Sequence, residues 1–151
     1  MNIILVPGFT ASIDTLQFLR TRLEAEGHVC YSPGFNWNTL INGELKNLTD
    51  TIDNIPGPVV LIGHSAGGLL AVLAASQRLD VVGVVGLGSP LVGRVDLDVP
   101  YYEARSFWGW LLPISGAEEV KAFPVGHSFL PFMPCVQDWV IQKVREINAW
   151  S

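Results

Sequence analysis

The sequence predicts an α/β fold, a mostly parallel sheet covered by helices, and three observations carry that prediction. Short runs of β-branched and aliphatic residues alternate with segments of helical periodicity. Pro-Gly pairs at 7–8 and 33–34 close two of those runs. The chain has 151 residues, which suits one core and gives no reason to divide it, so a single domain over 1–151 is expected.

Residues 2–6 read as a buried strand ending at Pro7-Gly8, followed by Leu16, Leu19 and Leu23 at helical spacing with Ser12 as a candidate N-cap. Gly27 stops that helix. A second strand over 28–32 precedes a helix over 40–55, in which Leu45, Leu48, Ile52 and Ile55 share one face before Pro56. Residues 59–62 are the most strand-like segment, and 66–77 has the Ala and Leu content of a helix packed tightly on a sheet. A strand over 81–87 follows, then weaker strands over 101–107 and 120–123. The helix over 136–150 closes the chain with Val140, Val144 and Ile147 on one face, for about six strands in all.

Composition narrows the function. Apolar residues make up 49% and charged residues only 15%, against about 25% charged in an average globular chain, which excludes disorder for most of the length. No apolar run reaches the roughly 18 residues of a membrane span. The net charge of −5 and the lack of a basic face argue against nucleic acid as a partner. The first residues lack the basic start and small-residue cleavage site of a signal peptide, so a cytoplasmic location is expected. Cys30 and Cys135 stand alone, without metal-ligand spacing, and are expected to be two buried thiols; the sequence suggests neither a metal nor any other cofactor.

The chemistry concentrates at Val59-Val60-Leu61-Ile62-Gly63-His64-Ser65-Ala66-Gly67-Gly68, a buried strand that enters Gly-x-Ser-x-Gly and passes directly into a helix. So tight a turn leaves no room for side chains two residues before and two after the serine, and it holds the serine on a strained backbone with its hydroxyl projecting. Ser65 is therefore the candidate nucleophile.

With this turn, the strand-loop Leu5-Val6-Pro7-Gly8-Phe9, the strand end Leu87-Gly88-Ser89-Pro90 and the late Val125-Gly126-His127-Ser128, the chain resembles the α/β-hydrolase superfamily. Within it the likeness is to the small lidless bacterial lipases and esterases, and it runs from Ile3 to about Ile147. The resemblance implies a minimal α/β-hydrolase fold without a cap domain, a serine nucleophile, a histidine base, an orienting acid and ester hydrolysis through an acyl-enzyme. In that fold the base follows the nucleophile in chain order. His28 precedes Ser65, and His64 adjoins it with a side chain expected to point away, which leaves His127. The oxyanion donors fall to the N–H groups of Ala66, at the start of the helix, and of Phe9, after the first strand; Pro7 stands where the family usually has His.

The acid departs from the pattern. Trp108 occupies the position where relatives carry Asp, and no Asp or Glu occurs from Arg105 to Ala117. Asp96 is the alternative, with Asp98 behind it; Glu103, Glu118 and Glu119 are expected near the opposite ends of the strands. A Ser65/His127 dyad or a neutral partner such as Ser106 stays open.

Phe107, Trp108, Trp110, Leu111, Leu112 and Pro113, with Phe129 and Phe132, are expected to form an apolar wall on the His127 side, suited to an acyl chain of short to medium length. Only residues 88–100 separate two strands where larger relatives insert a lid, so an open site is expected. The expected function is carboxylic ester hydrolysis. Thioesterase, amidase or acyltransferase chemistry would use the same groups, and the competing class is a hydrolase fold kept as a binding module without catalysis.

Overall fold

The computed structural model describes residues 1–9, 13–35, 37, 40–108 and 113–151. Six parallel strands form its main sheet: β1 (Asn2–Val6), β2 (Val29–Tyr31), β3 (Val59–His64), β4 (Val81–Leu87), β6 (Tyr101–Ser106) and β8 (Glu119–Phe123), in the order β2-β1-β3-β4-β6-β8. The helices are α1 (Gln17–Ala25), α2 (Leu40–Asp53), α3 (Ala66–Ala75) and α4 (Pro134–Trp150). The expected α/β architecture, about six strands with helices on both faces, is the observed one.

Alternate residues of each strand feed opposite layers, as the two-residue period of a strand requires. Ile3 and Leu5 of β1, with Val60 and Ile62 of β3, pack against Leu19 and Leu23 of α1 and Val140, Val144 and Ile147 of α4. Ile4 and Val6, with Val59 and Leu61, pack against Leu48 and Ile52 of α2 and Leu70 and Ala71 of α3. Each of these side chains is essentially removed from water, which contributes about 1.5 to 3 kcal/mol per Val, Ile or Leu. Continuous apolar strands such as Asn2–Val6 are thus the mark of a sheet covered on both faces.

Several boundaries differ from expectation. A 3-10 turn over Ile13–Leu16 precedes α1, and the proposed N-cap Ser12 lies outside the described residues. Helix α2 stops at Asp53, yet Ile55 remains buried beyond its end. Helix α3 stops at Ala75, where the Ser76 hydroxyl donates to the Leu73 carbonyl at 2.7 Å and competes with the helical ladder. Cys30 is buried as expected but Cys135 is exposed, because the first turn of α4 presents it outward. A further pair of two-residue strands, β5 (Gly93–Arg94) and β7 (Ile114–Ser115), carries too little sequence to be read in advance. Among the described residues no helix is long and apolar enough to cross a membrane.

The topology also locates the site. From β1 the chain first goes out to β2 at one edge, then returns to lay β3 on the other side of β1. The strand order reverses between β1 and β3, and loops leaving their C-terminal ends diverge there to open a crevice. Phe9 follows β1 and Ser65 follows β3.

Candidate active site

Ser65 sits between β3 and α3 with φ 56° and ψ −127°, a conformation costly for any residue with a side chain. The neighbouring glycines make it attainable. A Cβ on Gly63 would lie 2.3 Å from the Gly67 carbonyl oxygen, and one on Gly67 would lie 2.2 Å from that of Val6. The Ser65 N–H donates to Leu87 O at 2.9 Å and its carbonyl accepts the Gly68 N–H at 2.8 Å, tying the turn to β4 on one side and to the helix on the other. Ala66 begins α3, so its N–H is one of the donors a helix start leaves without an internal partner. The 7–9 loop runs alongside: Gly8 approaches so closely that an added Cβ would lie 3.0 Å from Ser65 Cβ.

His127 opens a 3-10 turn, His127–Phe132, after β8. It lines the same cavity as Ser65, a space of about 330 Å³ bounded also by Gly88, Ser89, Arg105 and Ser106. Its ring lies over Gly88, where a Cβ would come within 2.5 Å of Nδ1, and the positive φ of 66° at that residue likewise favours glycine. Partial desolvation holds the imidazole below the ordinary histidine value, which keeps it neutral at neutral pH. His28 lies elsewhere, its Nδ1 3.4 Å from the chain's amino terminus.

His64 makes a contact that the sequence did not announce: it is 6% exposed, its Nε2 lies 3.1 Å from the backbone carbonyl oxygen of His127, and the two rings are 5.2 Å apart at 31°. Leaving β3 one residue before the serine, it reaches the turn that carries His127. Burial lowers its pKa, and the nearby His127 lowers it further, while the bond to the His127 carbonyl opposes both.

The structure separates the acid candidates from the histidine. Asp96 is 70% exposed and held 2.8 Å from Arg94 Nε on β5. The short link through β5 carries it outward instead of over the sheet. Asp98, also exposed, borders a depression with Leu79 and Trp150. Trp108 is 77% exposed and packs edge-on to Phe107. Glu119 pairs with Lys143 of α4.

Glu103 requires a correction, for it does not sit at the far end of its strand, away from the cavity. It lies in mid-β6 opposite Gly86, fully buried, accepting the Ser89 N–H at 2.6 Å and the Tyr101 O–H at 2.7 Å. Burial pushes its carboxyl up to about 7 against the pull of those hydrogen bonds. Two residues on, buried Arg105 donates to Leu91 O at 2.6 Å. Together they grip the 88–91 turn from beneath. Charges at 103 and 105, spaced to share one face of a strand, are the signal that could have revealed this.

The expected apolar wall is also displaced. Phe107, Trp108, Phe129 and Phe132 are exposed and do not line the cavity. Phe132 instead packs with Phe18 of α1, ring centroids 6.2 Å apart. Trp110, Leu111 and Leu112 lie outside the described residues. Apolar surface gathers instead beside Ala66, in a groove of about 480 Å³ lined by Phe9, Trp37, Ile41, Asn42 and Ala66. Trp37 is held there in a left-handed conformation, φ 57°, with its backbone N–H donating to Glu44 Oε1 at 3.0 Å, and Phe9 packs edge-on against it.

Strand order, the strained turn at Ser65 and a histidine brought to the same cavity from a later strand end define a molecule of the α/β-hydrolase type. The chain belongs to the alpha/beta hydrolase family, whose model matches residues 3–146. Alpha/beta hydrolase domain-containing protein 10 from mouse is similar in structure, with a TM-score of 0.77 at 12% identity over 99% of this chain and 90% of that one. A methylesterase from Arabidopsis gives 0.73 at 13% identity over 100% of both chains. A putative YdeN-like hydrolase from Pectobacterium atrosepticum gives 0.70 at 18% identity over 98% of this chain and 90% of that one. No match to a curated protein was found.

Proposed function

We propose that this protein is a serine hydrolase that cleaves carboxylic esters through an acyl-enzyme. The observation that carries the reading is the presence of Ser65, on its strained turn, and His127, with a lowered pKa, at one cavity. Ser65 Oγ attacks the ester carbonyl while a neutral His127 nitrogen takes its proton. The N–H groups of Ala66 and Phe9 receive the developing oxyanion. His127 then returns the proton to the departing alkoxide, and water, activated in the same way, releases the acid and regenerates Ser65.

Proton return requires the leaving group to lie beside His127, which assigns the two spaces flanking Ser65. The alcohol portion occupies the cavity with Ser89, Arg105 and Ser106. The acyl chain runs past the oxyanion donors into the groove of Phe9, Trp37 and Ile41. A p-nitrophenyl butyrate assay beside fluorophosphonate labelling tests the reading. Turnover with stoichiometric labelling at Ser65 supports it, and a folded protein inert to both overturns it.

One observation favours the second reading, a binding module without catalysis: no carboxylate among the described residues acts on the His127 ring, whose pKa is shifted by desolvation alone. The same labelling experiment decides between them.

A further inference from the structure

The reaction proposed above needs the His127 imidazole held in one place, and among the described residues no carboxylate hydrogen-bonds it. In a complete triad the acid supplies both orientation and charge stabilisation. The residue nonetheless stands at the very start of a short 3-10 turn, after an extended Gly126, where few intrinsic forces fix it. Two contacts do. Gly88 packs beneath Nδ1, and His64 reaches the backbone carbonyl from below.

We propose that His64 is a positioning residue for His127, supplying from the backbone side the orientation that an acid would otherwise give the ring. A carbonyl oxygen only accepts, so His64 Nε2 carries the proton and donates it to His127 O at 3.1 Å. Its Nδ1 is then the bare nitrogen, and it is buried with no hydrogen-bond partner among the described residues. This arrangement holds only while His64 is neutral, since a second proton would have to be buried unsatisfied on Nδ1. A neutral His64 adds no charge to oppose the imidazolium formed on His127 during attack. The Gly63-His64-Ser65 sequence thus fixes both partners from one strand end, Ser65 through backbone strain and His127 through the neighbouring side chain.

The inference rests on the esterase reading and is tested separately from it. His64→Gln places an amide N–H where Nε2 stood, whereas His64→Leu and His64→Met fill the space without a donor. On p-nitrophenyl butyrate, both apolar variants are expected to lose at least about tenfold in kcat with KM within about twofold, and to label more slowly with fluorophosphonate in parallel. His64→Gln is expected to recover kcat to within about threefold of the parent. A parent that neither turns over nor labels overturns the esterase reading and this inference with it. A reactive parent matched by a folded His64→Leu or His64→Met, or a folded His64→Gln as impaired as the apolar variants, overturns the positioning role alone.

Discussion

Glu103 Oε1 accepts the Ser89 N–H at 2.6 Å, so a fully buried carboxyl in mid-β6 holds the turn that follows β4 and forms one wall of the cavity. A buried carboxyl is a conditional support, because loss of hydration costs the charged form far more than the neutral form.

Its folded-state pKa is raised from 4.5 to about 7, so the native state binds this proton more tightly than the unfolded chain. Its contribution to stability is complete below the ordinary Glu value and is lost as pH rises through 7. Glu103→Gln keeps a hydrogen-bonding amide in place and is expected to flatten that decline, gaining about 1 to 3 kcal/mol relative to the parent at pH 8 and nothing at pH 4. Urea unfolding of both proteins at the two pH values measures the difference; an equal effect at each would show that ionisation is not involved.

The backbone at Ser65 is in a region that glycine enters freely. Ser65→Gly should abolish ester hydrolysis and fluorophosphonate labelling while stabilising the fold by about 1 kcal/mol, seen as a melting midpoint a few degrees higher. Ser65→Ala should be equally inactive without that gain. Residual labelling of either variant would remove Ser65 as nucleophile.

Gly88 combines a positive φ with the close approach to His127 Nδ1. Gly88→Ala is expected to cost about 1 kcal/mol in stability and to lower kcat by at least about tenfold through displacement of the ring. Unchanged kinetics in a variant with a crystallographically unmoved His127 would contradict the contact.

Acyl-chain preference should follow the groove beside Phe9 rather than the exposed aromatics near His127. Butyrate to octanoate esters are expected to exceed acetate in kcat/KM, with about 0.8 kcal/mol available per buried methylene. Ile41→Ala should shift that profile, whereas Phe107→Ala and Trp108→Ala should leave it unaltered. A profile that responds to Phe107 and not to Ile41 would return the acyl chain to the His127 side.

Asp96→Asn breaks an exposed pair with Arg94 and nothing at the site. Its kcat/KM is expected to stay within about threefold of the parent, where loss of a true triad acid costs about 10⁴ in a serine protease. A steep loss would mean that Asp96 reaches His127 during turnover.

The sequence by itself determined the parallel sheet, the helices on both faces, the Ser65 turn and the choice of Ser65 and His127 as candidates. These features are local: apolar strands such as Asn2–Val6 and Val59–His64 report burial on two faces, and Gly63 and Gly67 report a turn in which a Cβ meets backbone. What lies around Ser65 depends on contacts distant in sequence, and only the tertiary structure decided it. His64 meets His127 across sixty-three positions, and Glu103 meets Ser89 across fourteen. Trp37, in a segment without periodicity, becomes the wall of an apolar groove because a left-handed backbone turns it against the sheet, whereas the aromatic cluster at 107–108 is left in solvent. Periodicity records which side of an element faces the core. It carries no record of which loop ends converge at the C-terminal edge of the sheet, because that is set by the packing of strands against one another and by where each short connection must run.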